Sequence, residues 1–292
     1  MRDLGGIATG TKHPFIPQRE LIEKAQANFE VISNYQQLFT MESAVLSQLV
    51  DPFSPDWETL INYDYIEQFI DAPEVPFSVH IDPGLTNDAA GVAISRITGY
   101  RMLPSFTYYN ERLGEFTEVR DVRAPAYTVD GVLQIKAPAN GEVDLELVRD
   151  MILHLRGILN IKYATMDSYQ SAMMIQGFRK GRIKSGVLSV DTNIAPYAEY
   201  KQAIKDERIL LPRHAVLARE TRELERDPEK DRIDHPNGGS KDCSDAVAGS
   251  IYLQMKKEAR YGQVARSRRG IGAKRPSEQQ VRKIRIRGGT TK

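Results

Sequence analysis

One cysteine, Cys243, in 292 residues excludes an internal disulfide and any cysteine-based zinc cluster, and leaves a small, semi-buried side chain as its reading. No apolar run approaches the ~18 residues that span a bilayer, and the opening Met1-Arg2-Asp3-Leu4 lacks the apolar stretch of a signal peptide. The expectation is a protein of the cytoplasm, neither secreted nor membrane-bound. Nowhere does G-x-x-x-x-G-K-[ST] occur, so no glycine-rich loop with its lysine is present to cradle a nucleoside triphosphate. His13, His80, His154, His214 and His235 show no H-E-x-x-H spacing, and there is no G-x-S-x-G nucleophile elbow.

What is present is an ordinary globular composition, 41% hydrophobic, long enough for one large core or two modest domains of ~100–200 residues each. The formal net charge of +1 conceals a division. Lys256 to Lys292 carries 13 Lys/Arg against 2 Asp/Glu, a net of +11, which leaves 27 basic and 37 acidic residues, a net of −10, before it. A segment so basic, with few apolar anchors, is expected as a flexible arm suited to polyphosphate, or as a solvated tail that docks on an acidic surface.

Three regions follow. Residues 1–74, broken by Pro14, Pro17, Pro52 and Pro55, read as a small helical N-terminal extension or interdomain region, with helical spacing through Leu21, Ile22, Ala25, Phe29 and Ile32. The stiff Ala72-Pro73-Glu74-Val75-Pro76 connector opens a domain over 75–258, and 259–292 form the basic tail. Within the domain the spacing predicts strands at 77–82, 91–97, within 102–109, at 131–136, 163–167 and 186–191. It predicts helices from Asp144, through 173–178, around 197–206, near 215–226 and from 241 to 258. Strands first, then alternating helix and strand, argue for an α/β mixed sheet, antiparallel at its start and parallel later, flanked by helices.

Acids recur at the ends of these elements. Asp82 and Asp167 each close a predicted strand, where an α/β sheet presents its ligand site. Asp242 and Asp245, three apart, share one face of the last helix with Ala248, Gly249 and Tyr252, whereas Val247, Ile251 and Met255 supply its core side. Carboxylates packed together repel unless a cation compensates them, and Mg²⁺ and Mn²⁺ take oxygen ligands. Asp88, past the Pro83-Gly84 turn, either reaches the same ions or caps the hairpin. Asp242 has a structural alternative as the acid that complements a helix dipole. His80 lies on the same strand face as Asp82 and reads as a partly buried structural imidazole.

The ordered set Ile81-Asp82-Pro-Gly-Leu-Thr-Asn-Asp88, Met166-Asp167-Ser-Tyr-Gln-Ser171, Ser189-Val-Asp191 and His235 through Gly249 resembles the C-terminal nuclease domain of tailed-bacteriophage terminase large subunits. The resemblance spans residues 75 to 258 and implies an RNase H-like fold. It also implies a two-metal endonuclease, using Mg²⁺ or Mn²⁺, that cuts concatemeric double-stranded viral DNA during packaging in the bacterial cytoplasm. Asp82, Asp167 and Asp245 match its catalytic triad, with Asp88 and Asp242 as auxiliary metal ligands. Its implied partners are DNA, the portal protein, the terminase small subunit and the packaging ATPase domain. That ATPase is the point of departure, since this chain has no phosphate loop and residues 1–74 are too short to hold one.

Candidate DNA contacts are Lys241 beside the acids, the cluster Arg179, Lys180, Arg182 and Lys184 after Asp167, and Arg268 and Arg269 in the tail. Two alternatives share these residues: a resolvase-type nuclease for branched DNA, and a non-catalytic packaging factor that grips DNA or the portal.

Overall fold

The structure is a computed structural model that describes residues 14–84, 89–104, 106–110, 115–119, 122–167, 171–192, 194–227 and 232–269. Its first elements are α1 (Arg19–Ile32), β1 (Ser43–Ala44), α2 (Leu46–Leu49) and α3 (Tyr63–Glu67). Strands β2 (Phe77–Asp82), β3 (Ala90–Leu103), β4 (Phe106–Asn110), β5 (Glu115–Val119) and β6 (Val122–Ile135) come next. The chain then alternates through α4 (Leu145–Ile158), β7 (Ile161–Met166), α5 (Ser171–Lys180), β8 (Lys184–Val187), α6 (Ala195–Lys205), β9 (Ile209–Leu210) and α7 (Ala215–Glu223). It closes with β10 (Glu225–Asp227), β11 (Arg232–Asp234) and α8 (Asp242–Arg269).

Seven strands make the main sheet in the order β1-β6-β3-β2-β7-β8, with β9 beside β6. The pairs β2/β3 and β3/β6 are antiparallel, and β2/β7, β7/β8, β6/β1 and β6/β9 are parallel. The result is a mixed α/β sheet, antiparallel at its hairpin start and parallel later, as the element order predicted. Alternation along the strands feeds two cores. Val79, Ile81, Val92, Ile94 and Leu133 face one core with α4 and α5; Ala93, Val129 and Val132 face the other with α6, α7 and the start of α8. Each fully buried Leu or Ile side chain contributes roughly 1.5–3 kcal/mol.

Several boundaries differ from the sequence reading. Instead of short strands within 91–97, 102–109 and 131–136, β3 and β6 form one hairpin that stays paired out to Leu103 and Val122, and β4 and β5 pair beyond it. The outer half of β3 is largely exposed and Pro125 interrupts the facing stretch of β6, so no buried alternating face marks it. Strand β8 sits at 184–187 rather than 186–191, because its register is set by Tyr163 and Met166 of β7 opposite Lys184 and Val187. The region before Pro76 is not helical alone: β1 joins the main sheet, with Ser43 and Ala44 beside Gln134 and Ile135. The chain divides into one compact unit ending at Gln254 and a second from Met255. Helix α8 continues to Arg269, past the expected end at 258, since Ala, Lys, Arg and Gln favour helix and Gly262 alone opposes it there.

Candidate metal centre

Two adjacent parallel strands deliver the first pair of acids. Ile81 of β2 lies opposite Met166 of β7, so Asp82 and Asp167, the residues that follow, emerge side by side at the carboxyl edge of the sheet. Ser189 Oγ donates to Asp167 Oδ2 at 2.9 Å and fixes that carboxylate. Asp88 lies outside the described residues.

The second pair arrives on α8, which packs very closely on β2 and β3. A Cβ on Gly91 would lie 1.9 Å from the Asp242 carbonyl oxygen, and one on Gly249 would lie 2.3 Å from the His80 ring. Glycine at both positions is what lets the helix approach. Its first turn is tied down from α7, where Glu220 accepts from the Ser244 amide at 2.9 Å and from Ser240 Oγ at 2.6 Å. Asp242 and Asp245 are thereby buried against the strand ends.

The electrostatics show how tightly these groups converge. Burial holds the Asp82 carboxyl well above the usual range; the charges of Asp245, Asp242 and Asp191 push the same way, and Lys241 opposes them. Burial also raises Asp245, to about 6, against the pull of Lys241 and of the Tyr197 hydroxyl, which donates to Asp245 Oδ1. Lys241 Nζ bridges Asp191 and Asp245; burial alone would lower its pKa, but the two carboxylates outweigh this and raise it. Behind the acids, His80 is fully buried with Nδ1 on Thr165 Oγ1 at 2.9 Å, and burial lowers its pKa to about 4 despite the Asp167 charge, so it stays neutral.

Asp82, Asp242 and Asp245 are therefore brought together with Lys241, and Asp167 stands beside Asp82. Asp191 and Tyr197 join them as residues that sequence reasoning did not assign to the site. Asp191 was visible only as an acid closing the Ser189-Val190-Asp191 motif, and Tyr197 carried no signal. Among the described residues, no group of three or more His, Cys, Asp or Glu side chains stands in a geometry that holds a metal ion. The donor set nonetheless fits a hard divalent cation: every donor is a carboxylate oxygen, the acids outnumber the one lysine, and Asp82 and Asp245 are disfavoured as anions by their surroundings.

The basic cluster lies elsewhere. Helix α5 runs back from the Asp167 edge, and Lys184 opens β8 opposite Tyr163, four residues or roughly 13 Å along β7 from Asp167. There Arg179, Arg182, Lys184 and Ser185 line an open cavity of about 420 Å³, and Lys184 approaches the Tyr163 ring. The cluster Arg179, Lys180, Arg182 and Lys184 thus stands along the sheet from the acids rather than among them. Arg268 and Arg269 lie in the last turn of α8.

The fold and site define an α/β protein with an acidic centre at the carboxyl edge of a mixed sheet. Solved structures similar to it in fold include the large terminase nuclease from thermophilic phage G20c with bound magnesium, 10% identical over 61% of this chain and 81% of that chain, TM-score 0.43. The Thermus phage P74-26 large terminase nuclease domain is likewise 10% identical, over 61% of this chain and 79% of that chain, TM-score 0.43. The nuclease domain of the bacteriophage SPP1 large terminase with bound Mn is 10% identical over 75% of this chain and 98% of that chain, TM-score 0.38. No protein-family model and no curated protein matches the sequence.

Proposed function

We propose that this chain is a Mg²⁺- or Mn²⁺-dependent endonuclease that cleaves double-stranded DNA, the nuclease part of a terminase large subunit acting on concatemeric viral DNA during packaging. One observation carries the reading: at the sheet edge Asp82 is disfavoured as an anion by burial and by the charges of Asp245, Asp242 and Asp191, and Asp245 by burial and by Asp191, with Lys241 the one lysine among these described residues. An arrangement that costs stability unless charge is supplied is characteristic of a functional site.

In this reading Asp82, Asp167 and Asp245 hold two ions, assisted by Asp242 and Asp88. Such ions, when bound, activate a water and stabilise the leaving 3′ oxygen of a phosphodiester. The chain's own part is orientation. Asp82 and Asp167 follow neighbouring strand ends, Tyr197 donates to Asp245 Oδ1 while Lys241 holds Oδ2, and Ser189 donates to Asp167 Oδ2. Glycine at 91 and 249 leaves the room that lets α8 bring its acids against β2 and β3. DNA backbone would be gripped by Lys241, by Arg179, Lys180, Arg182 and Lys184, and by Arg268 and Arg269 of the basic arm. The cytoplasm of the bacterial host, with the portal protein, small subunit and packaging ATPase domain as partners, belongs to the same proposal. No helix among the described residues is long and apolar enough to cross a membrane.

The test is digestion of supercoiled plasmid at low salt in EDTA, Mg²⁺ or Mn²⁺. Nicking and linearisation are expected with metal, and Asp167→Asn is expected to fall to the EDTA level. A mobility shift with intact plasmid under every condition would instead favour a binding factor, and cleavage selective for a four-way junction over linear duplex would favour a resolvase.

A further inference from the structure

Lys241 sits where a cation is needed. It immediately precedes α8, and its carbonyl accepts the Asp245 amide at 2.7 Å, so its own side chain lies one turn from the Asp245 carboxylate. Nζ donates to both Asp191 and Asp245, and the side chain is only 12% exposed. Lysine is costly to bury unless paired, and here it is paired twice. Its two partners are unlike: the Asp245 side chain is 4% exposed, the Asp191 side chain 51%. The ammonium therefore has an inner anchor among the site acids and an outer anchor at the rim.

The geometry points to Lys241 as an internal stand-in cation that holds the acidic centre together without metal and is displaced from Asp245 when a divalent ion binds, staying tethered to Asp191. The inference rests on the metal reading above and deepens it. Two cations cannot share one buried carboxylate oxygen without repulsion, so the ammonium and the divalent ion compete for Asp245. Asp245 Oδ2 and Asp191 Oδ1 both accept from Nζ, so the oxygen a divalent ion would need at Asp245 already carries a cation. Metal entry then becomes an exchange of one cation for another rather than the filling of bare, repelling carboxylates. The released ammonium remains at the rim on a flexible four-carbon stem.

Two measurements on the full-length chain test this without relying on cleavage. Calorimetric titration with Mn²⁺ alone is expected to show binding roughly tenfold tighter or more for Lys241→Met than for the unmodified chain, as removal of a contacting like charge predicts, with Lys241→Arg left near the original affinity. A lysine that merely supports the fold would give the opposite sign, with Lys241→Met binding more weakly. The second measurement needs no variant. Amine acetylation of the native protein, read residue by residue by mass spectrometry, is expected to modify Lys241 slowly in EDTA and several-fold faster in saturating Mn²⁺. Mn²⁺ binding with unchanged Lys241 acetylation, or with unchanged or weaker affinity in folded Lys241→Met, overturns the inference and leaves the metal reading standing. Failure of the native chain and of both variants to bind Mn²⁺ overturns both.

Discussion

Two buried acid centres lie on the same sheet and are built in opposite ways. Asp130, in the middle of β6, is fully buried; its Oδ1 accepts from Tyr65 at 2.7 Å and from Arg96 Nε at 2.9 Å. Arg96 in turn stacks over the Phe69 ring. One acid meets one arginine and one hydroxyl, so the charge closes on itself and the group ties α3 to β3 and β6. At the sheet edge, Asp82, Asp191, Asp242 and Asp245 gather near Lys241, and among these described residues carboxylates outnumber the lysine. Burial by itself raises the pKa at both places. What separates a fastening from a candidate reactive centre is the surplus, which protonation or a bound metal ion removes.

Substitution should expose this contrast most strongly. Asp130→Ala strands a half-buried guanidinium and a buried phenol, and is expected to cost about 3 kcal/mol of stability by denaturant unfolding. Asp82→Asn relieves repulsion, so its metal-free melting temperature is expected to rise while cleavage is lost. A fall in stability for Asp82→Asn comparable to that of Asp130→Ala would erase the distinction.

A smaller effect concerns pH. The folded-state pKa of Asp245 is raised from 3.8 to about 6, so the folded protein holds a proton more tightly than the unfolded chain, and metal-free stability declines as pH rises through that window. Mn²⁺ affinity has the reverse dependence, weakening as pH falls through about 6, because a ligand carboxylate must be ionised. Melting and Mn²⁺ titration between pH 4 and 8 should show the two trends crossing, and Asp245→Asn should flatten the first.

The smallest effect belongs to the basic cavity away from the acids. Charge removal in Arg182→Gln with Lys184→Gln should weaken duplex binding without altering the Mn²⁺ affinity. It should also reduce the slope of log affinity against log salt by about 2, near 0.9 for each phosphate no longer neutralised. An unchanged slope would remove these residues from the DNA path.

The acids were legible in the sequence because the elements that carry them are short and punctuated. Asp82 precedes Pro83-Gly84, Asp167 ends an apolar run, and Asp242 with Asp245 opens a helix whose opposite side is apolar. The mixed sheet, antiparallel first and parallel later, followed from the succession of strands and helices. The hairpin of β3 and β6 did not, because backbone pairing rather than an apolar face sustains its outer half. Asp130 was equally invisible, since only the fold brings Tyr65 and Arg96 to it. How far the basic cluster stands from the acids was not legible either, since it depends on α5 running back along the sheet. Lys241 was legible as a cation beside the acids, whereas its double engagement with Asp191 and Asp245 depends on the loop after β8 folding towards α8.

The most direct test is anomalous diffraction from crystals of the full chain grown with Mn²⁺. The account predicts Mn²⁺ density at about 2 Å from carboxylate oxygens of Asp82, Asp167 and Asp245, with Lys241 Nζ moved off Asp245. Saturating Mn²⁺ with no anomalous density among these three acids, and Lys241 still seated on Asp245, would contradict it.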